Sequence, residues 1–90
     1  MLFRSFSDIS PQAPTHVLIV PKTHYDNVAD LAEASTEAIA DLFQLAGEIA
    51  DARGLKGYRT VFNTGAEAGQ SVFHAHLHLL GGRSLTWPPG

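Results

Sequence analysis

Apolar and polar residues alternate one for one between Ser71 and Leu80: Phe73, Ala75, Leu77 and Leu79 interleave with His74, His76 and His78. Period two is the mark of a half-buried strand, in which residues i, i+2 and i+4 share a face. The pattern predicts a strand with three imidazoles on one side and four apolar residues packed on the other. Upstream, Leu2–Phe6 reads as a short strand, broken by Asp8-Ile9-Ser10-Pro11. Thr15–Val20 is β-branched and nearly continuous in apolar character, which predicts a central strand with both faces covered. Pro21 ends it, because proline cannot donate to a ladder.

The period then changes. Lys22–Asp30 is polar and is predicted to be a loop with at most one helical turn. From Ser35 to Arg53, Ile39, Leu42, Phe43, Ala46, Ile49 and Ala50 form a single helical stripe. Ser35 suits the N-cap, Glu37 the first turn, Arg53 the last turn and Gly54 the residue after the cap. Tyr58–Asn63 alternates again and predicts a third strand. Thr64–Gln70 is a glycine-bearing loop into the histidine strand, and Gly81-Gly82 ends that strand. The tail from Arg83 holds Trp87 before Pro88 and Pro89 and must lie over a surface. The order β-β-α-β-β predicts an α+β domain, an antiparallel sheet with one main helix on one face.

Ninety residues make one domain with a modest core, so help from a partner subunit is expected. The absence of cysteine excludes disulfides and thiolate zinc sites. No apolar run approaches the roughly 20 residues that span a membrane, and no signal peptide is visible, so a cytoplasmic location is expected. With a net charge of −3 and no basic cluster in the sequence, a nucleic-acid polymer is not expected as a partner. A single nucleotide remains possible.

Three alternating histidines admit three readings. The first is zinc binding. Histidines at i and i+2 lie about 7 Å apart along a strand and can share one ion, with a third ligand from Asp8, His16 or His24. The second is covalent catalysis: one neutral imidazole attacks phosphorus while its neighbours orient it or protonate the leaving group. Backbone N–H groups of the loop ending Gly69-Gln70-Ser71 suit a phosphate. The third is a polar strand face with no chemistry. Among the other candidates, His16 is a core histidine or a catalytic helper. His24 reads as a solvated loop residue. Asp8 and Asn63 read as turn residues or ligand contacts. Trp87 reads as a packing residue or a dimer contact.

The run Gly69-Gln70-Ser71-Val72-Phe73-His74-Ala75-His76-Leu77-His78-Leu79-Leu80-Gly81-Gly82-Arg83 resembles the signature of the histidine triad (HIT) superfamily. Asp8-Ile9-Ser10-Pro11-Gln12-Ala13-Pro14-Thr15-His16, Pro21-Lys22, Gly57-Tyr58-Arg59 and Trp87-Pro88-Pro89-Gly90 resemble its Hint branch. The resemblance implies a HIT-like fold over residues 1–90 and a homodimer. It implies hydrolysis of purine nucleoside 5′-phosphoramidates through a nucleotidyl-histidine, with no metal or cofactor. His76 is then expected to be the nucleophile and His78 to contact the phosphate and the leaving group. His74 and His16 are expected to support them. Asn63, Gly69, Gln70 and Ser71 are expected to line the phosphate and ribose side, and Asp8 to hold the ribose hydroxyls. Phe6 and Ile9 are expected to flank the base, and Trp87 to approach the partner's site. Family members usually carry a short helix and a further strand before the segment matching Leu2–Phe6. The chain is therefore expected to be N-terminally short, with a weaker grip on the nucleoside. The alternatives are a nucleotide-binding regulatory protein with little turnover, or a zinc protein using two triad histidines.

Overall fold

A computed structural model describes residues 2–90. Four strands form one antiparallel sheet: β1 (Phe3–Ser7), β2 (Thr15–Pro21), β3 (Tyr58–Val61) and β4 (Leu77–Gly81). Their order is β1-β2-β4-β3, so β2 and β4 are central. The register sets Phe6 beside Leu18, Leu18 beside His78, and His78 beside Val61. Two helices separate β2 from β3: α1 (Val28–Ala34) and α2 (Thr36–Ala52). A short 3₁₀ turn, Ala66–Ala68, precedes the histidine segment.

Side-chain alternation gives the sheet two unlike faces. One face carries Phe3, Val17, Ile19, Leu77 and Leu79, which form a single buried core with Leu31 of α1 and with Leu42 and Ala46 of α2. The other face carries His16, Leu18, Val20 and His78. The α2 stripe is buried at Leu42, Ala46 and Ala50, while Phe43 at its margin is exposed and meets Phe62 edge-on.

Three expectations are corrected by the fold. The single helical turn allowed in Lys22–Asp30 is the start of a longer helix, because α1 begins at Val28 and runs on to Ala34. Asn27 caps it by accepting from the Asp30 N–H at 3.0 Å, and Leu31 anchors it in the core. Seven residues with one apolar anchor carry too little periodicity to be read alone. Next, β2 is covered on one face only, since Leu18 and Val20 are half-buried. Finally, the regular histidine strand is Leu77–Gly81, shorter than Ser71–Leu80. Before it the chain is extended without a ladder, held by the Ala75 N–H donating to the Tyr25 carbonyl at 2.7 Å. Alternation still runs through Ala75, Leu77 and Leu79, but Phe73 is exposed and does not join the packed face.

Ser35 caps α2 as its sequence position predicts, with Oγ accepting from the Ala38 N–H at 3.1 Å. Gly54 follows the helix at φ +66°, where a side chain would be strained. Ser35→Ala is expected to lower stability by about 1 kcal/mol in urea unfolding. An unchanged midpoint would show that the helix start is held by packing alone.

Candidate active site

His76 sits just before β4. Its Nδ1 lies 2.8 Å from the His74 carbonyl. A carbonyl can only accept, so Nδ1 carries the proton and Nε2 keeps its lone pair. His74 is held in the same way, its Nε2 donating to the Pro21 carbonyl at 2.8 Å. Backbone carbonyls at the end of β2 and within the segment itself thus set two of the three tautomers.

His78 is set from across the sheet. The Gln12 N–H donates to His16 Nδ1 at 3.1 Å, so His16 carries its proton on Nε2. That proton is given to His78 Nδ1 at 2.9 Å. His78 is left with an N–H at Nε2. This atom is buried and, alone among the described buried side-chain polar atoms, has no partner. An unsatisfied buried donor is costly in a closed structure and useful where a ligand oxygen or nitrogen is to arrive. Burial first, then the neighbouring His76 and His16, push the His78 pKa below 6.5, with Asp8 opposing. Its ring is therefore neutral at pH 7, as the bond from His16 requires.

An apolar hollow of ≈ 360 Å³ opens beside these rings, lined by Phe6, Leu18, Val20, Val72, His74 and His76. Its size fits a small planar ring system. Phe6 lies in it. Ile9 does not: it is 99% exposed beyond the end of β1. Leu18, Val20 and Val72 have no polar signature, and only the sheet register brings them beside His76. Asp8 lies next to His16, with Oδ2 3.6 Å from Nε2, and its Oδ1 accepts from the Ser10 N–H at 2.7 Å.

The loop residues divide. Gln70 is buried, and its side chain is used internally. Oε1 accepts from the Gly65 N–H at 2.9 Å, and Nε2 donates to the Asp26 and Val72 carbonyls at 2.6 and 3.1 Å. Its backbone N–H also goes to Gly65. Gln70 therefore shapes the loop. Gly69 closes the 3₁₀ turn at φ +94°. Ser71 is exposed and does not line the hollow, and Asn63 is half-buried after β3. Trp87 is 82% exposed on a tail tied by Arg59 Nη2 to the Thr86 carbonyl at 2.8 Å.

His24, which reads as solvated in the sequence, belongs to the histidine array. Its Nδ1 is 3.2 Å from His74 Nδ1, and its Nε2 is 2.7 Å from the Asp26 carboxylate. The spacing His24-x-Asp26 is visible in the chain, but 50 residues separate His24 from its partner.

Asp8, His16 and His78 are also the one group among the described residues whose donor atoms lie close enough for a metal, all within 4.8 Å. It contains one triad histidine, where sequence reasoning expected two. The distances fit zinc, but the protons do not. A neutral His16 bound through Nε2 would carry its proton on Nδ1, facing the Gln12 N–H.

Lowering the pH protonates His78 and sets a new N–H against that of His16. Because its pKa is depressed in the folded state, the folded protein binds fewer protons than the unfolded chain between the lowered value and 6.5. This contribution to stability is present above 6.5 and is lost as pH falls through that window. NMR titration of the His78 ring should give a midpoint under 6.5. A midpoint above 6.5 would contradict the assigned tautomers.

Residues 1–85 match the HIT domain family. The chain is 50% identical to an uncharacterized HIT-like protein of Synechococcus elongatus, over 96% of its own length and 76% of that protein. It is 49% identical to a 14 kDa zinc-binding protein of Zea mays, over 96% of this chain and 70% of the other. Among solved structures it resembles a HIT family hydrolase from Legionella pneumophila. The TM-score is 0.93 at 50% identity, covering 98% of this chain and 80% of that one. It also resembles a histidine triad nucleotide-binding protein from Candida albicans, with a TM-score of 0.78 at 29% identity, covering 96% and 68%.

Proposed function

The chain belongs to the HIT domain family, and from that membership and the free Nε2 of His76 we propose that it is a hydrolase of purine nucleoside 5′-phosphoramidates. The observation that carries this reading is the pair of ring atoms at one site: a lone pair on His76 Nε2 and an unpartnered N–H on His78 Nε2. One attacks and the other donates.

His76 Nε2 forms a bond to phosphorus as the P–N bond breaks and its electron pair departs on nitrogen. His78 Nε2 donates a hydrogen bond to the departing nitrogen, which takes up a proton from solvent as it leaves as the amine. Water then attacks the nucleotidyl-histidine, gives a proton back to solvent and releases the nucleoside monophosphate. The His74 carbonyl, accepting from His76 Nδ1, stabilises the positive charge that the ring gains on phosphorylation. Neutral His78 suits this role, since with Nδ1 taken by His16 its Nε2 can only donate a hydrogen bond. The hollow takes the base between Phe6, Leu18 and Val72, and Asp8 accepts from the ribose hydroxyls. The names of the Legionella hydrolase and the Candida nucleotide-binding protein support the class of reaction and of ligand.

A homodimer completes the proposal. Phe43 and Trp87 are exposed apolar surface, and β3 is an edge strand with unpaired backbone groups. Pairing two copies along β3 would cover both and bring each tail to its partner. No helix among the described residues is long and apolar enough to cross a membrane, and the cytoplasm remains the proposed location.

Similarity to the Zea mays zinc-binding protein gives a second reading, in which Asp8, His16 and His78 hold the metal once the bond from the Gln12 N–H to His16 is given up. One assay separates the two: release of AMP from adenosine 5′-phosphoramidate with excess chelator present. Full activity under the chelator is expected. Activity lost only to the chelator would favour zinc. Tight AMP binding with no release would favour a regulatory nucleotide-binding protein.

A further inference from the structure

A second concavity, a cleft of ≈ 830 Å³, lies between the turn after α2 and the segment after β4, and shares no lining residue with the hollow beside the histidines. Arg53, Lys56, Arg59 and Arg83 line it. These are four of the six lysines and arginines in a chain of net charge −3, and no Asp or Glu lines the cleft with them. The two cations left over, Arg4 and Lys22, lie elsewhere. Among the described residues every ion pair uses a histidine, so none of the four cations has a carboxylate within 4.0 Å.

Like charges gathered in a concavity raise one another's energy and focus a positive potential that attracts counter-ions. Two of the guanidiniums are also pre-positioned. Arg59 gives one N–H to the Thr86 carbonyl, and Arg83 gives two, to Ser84 at 2.9 Å and to Gln12 at 2.8 Å. Of the five donors on each guanidinium, the rest stay free. An oriented guanidinium loses little entropy on meeting an oxyanion and matches phosphate in a two-point fork. Arg53 and Lys56 are exposed at the rim and make no internal side-chain bond.

We propose that this cleft binds a small oligophosphate, an anion with several phosphoryl groups in one chain. Four cations exceed what a single phosphate needs. The volume is that of a small-molecule site, in the range of about 300–1,000 Å³. A nucleic-acid polymer fits less well, because the cations end at the cleft and the rest of the surface is net acidic. The cleft itself stands apart from the histidine site, and only the use of AMP in its test rests on the proposed function; cleft resonances that shift with tripolyphosphate report on the cleft whether or not AMP is bound or released.

The test is amide NMR of the full chain titrated with inorganic tripolyphosphate, in saturating AMP so that the histidine site is occupied. Resonances of Lys56, Gly57, Gly82 and Leu85 are expected to shift, and those of Val72–His76 to stay. R53Q/K56Q is expected to weaken binding roughly tenfold or more, and R4Q/K22Q, with the same change of net charge, far less. AMP release should be unchanged in both variants, since none of these residues touches the histidines. Arg83 is left intact because it holds Gln12, whose N–H fixes His16. Equal weakening by the two double variants would overturn the proposal by reducing it to net charge. Shifts confined to Val72–His76, or none at low salt, would overturn it outright. So would an oligothymidylate that moves the cleft resonances at lower concentration than tripolyphosphate, which would assign the cleft to single-stranded nucleic acid.

Discussion

His76→Ala lowers kcat/KM for AMP release from adenosine 5′-phosphoramidate by roughly 10⁴-fold or more, the scale at which a covalent nucleophile is lost. The side chain is half-buried at the rim of the hollow, and its one internal bond goes to a carbonyl that water can satisfy. Folding should therefore survive, and urea unfolding should shift by less than about 1 kcal/mol. The pairing of a dead enzyme with a stable fold is what marks a catalytic role. A variant that kept even a tenth of the activity would remove His76 as nucleophile and return the site to a binding role. Burst kinetics on the unmodified chain add a second readout: the amine should appear ahead of AMP if the nucleotidyl-histidine accumulates.

Leu77→Ala, one residue on, should do the reverse. Leu77 is fully buried on the opposite face, between Ile19 and the α2 residues Leu42 and Ala46. Truncation removes apolar contacts and leaves a void that a rigid sheet cannot close, at a cost of about 2–5 kcal/mol. Against a total stability of about 5–15 kcal/mol for a domain, that is a large part of the fold. The urea midpoint should fall accordingly, while activity per folded molecule stays within a few fold. A loss under about 1 kcal/mol would mean that the core beneath the histidines is looser than its burial indicates.

These opposite outcomes at adjacent residues were legible in the sequence, because period-two alternation assigns neighbours to opposite faces whatever their strand partner. The caps of α2 were legible for a similar reason. Ser35 and Gly54 act within one turn of themselves, and the chemistry of a helix end is local. The open face of Leu18 and Val20 was not legible. An unbroken apolar run looks the same whether its second face packs on protein or floors a ligand hollow. His24 carries no local signal of its role, because its partner ring lies 50 residues away. The basic cleft was hidden likewise: Arg53, Lys56 and Arg59 sit in a short polar stretch, and Arg83 joins them only because β3 pairs with β4.

What the sequence alone determined was therefore what depends on near neighbours: the two-faced histidine segment, the capped helix, the breaks at Pro21 and Gly81-Gly82, and membership of the family those motifs resemble. What only the tertiary structure decided was which groups meet. His16 reaches His78 across 62 residues, and that contact sets the tautomer that leaves His78 an open donor. Phe6, Leu18 and Val72 become a hollow only when the strands are in register. Hydrogen bonds and packing act over a few ångströms, so residues distant in the chain acquire a joint chemistry only after the backbone has brought them together.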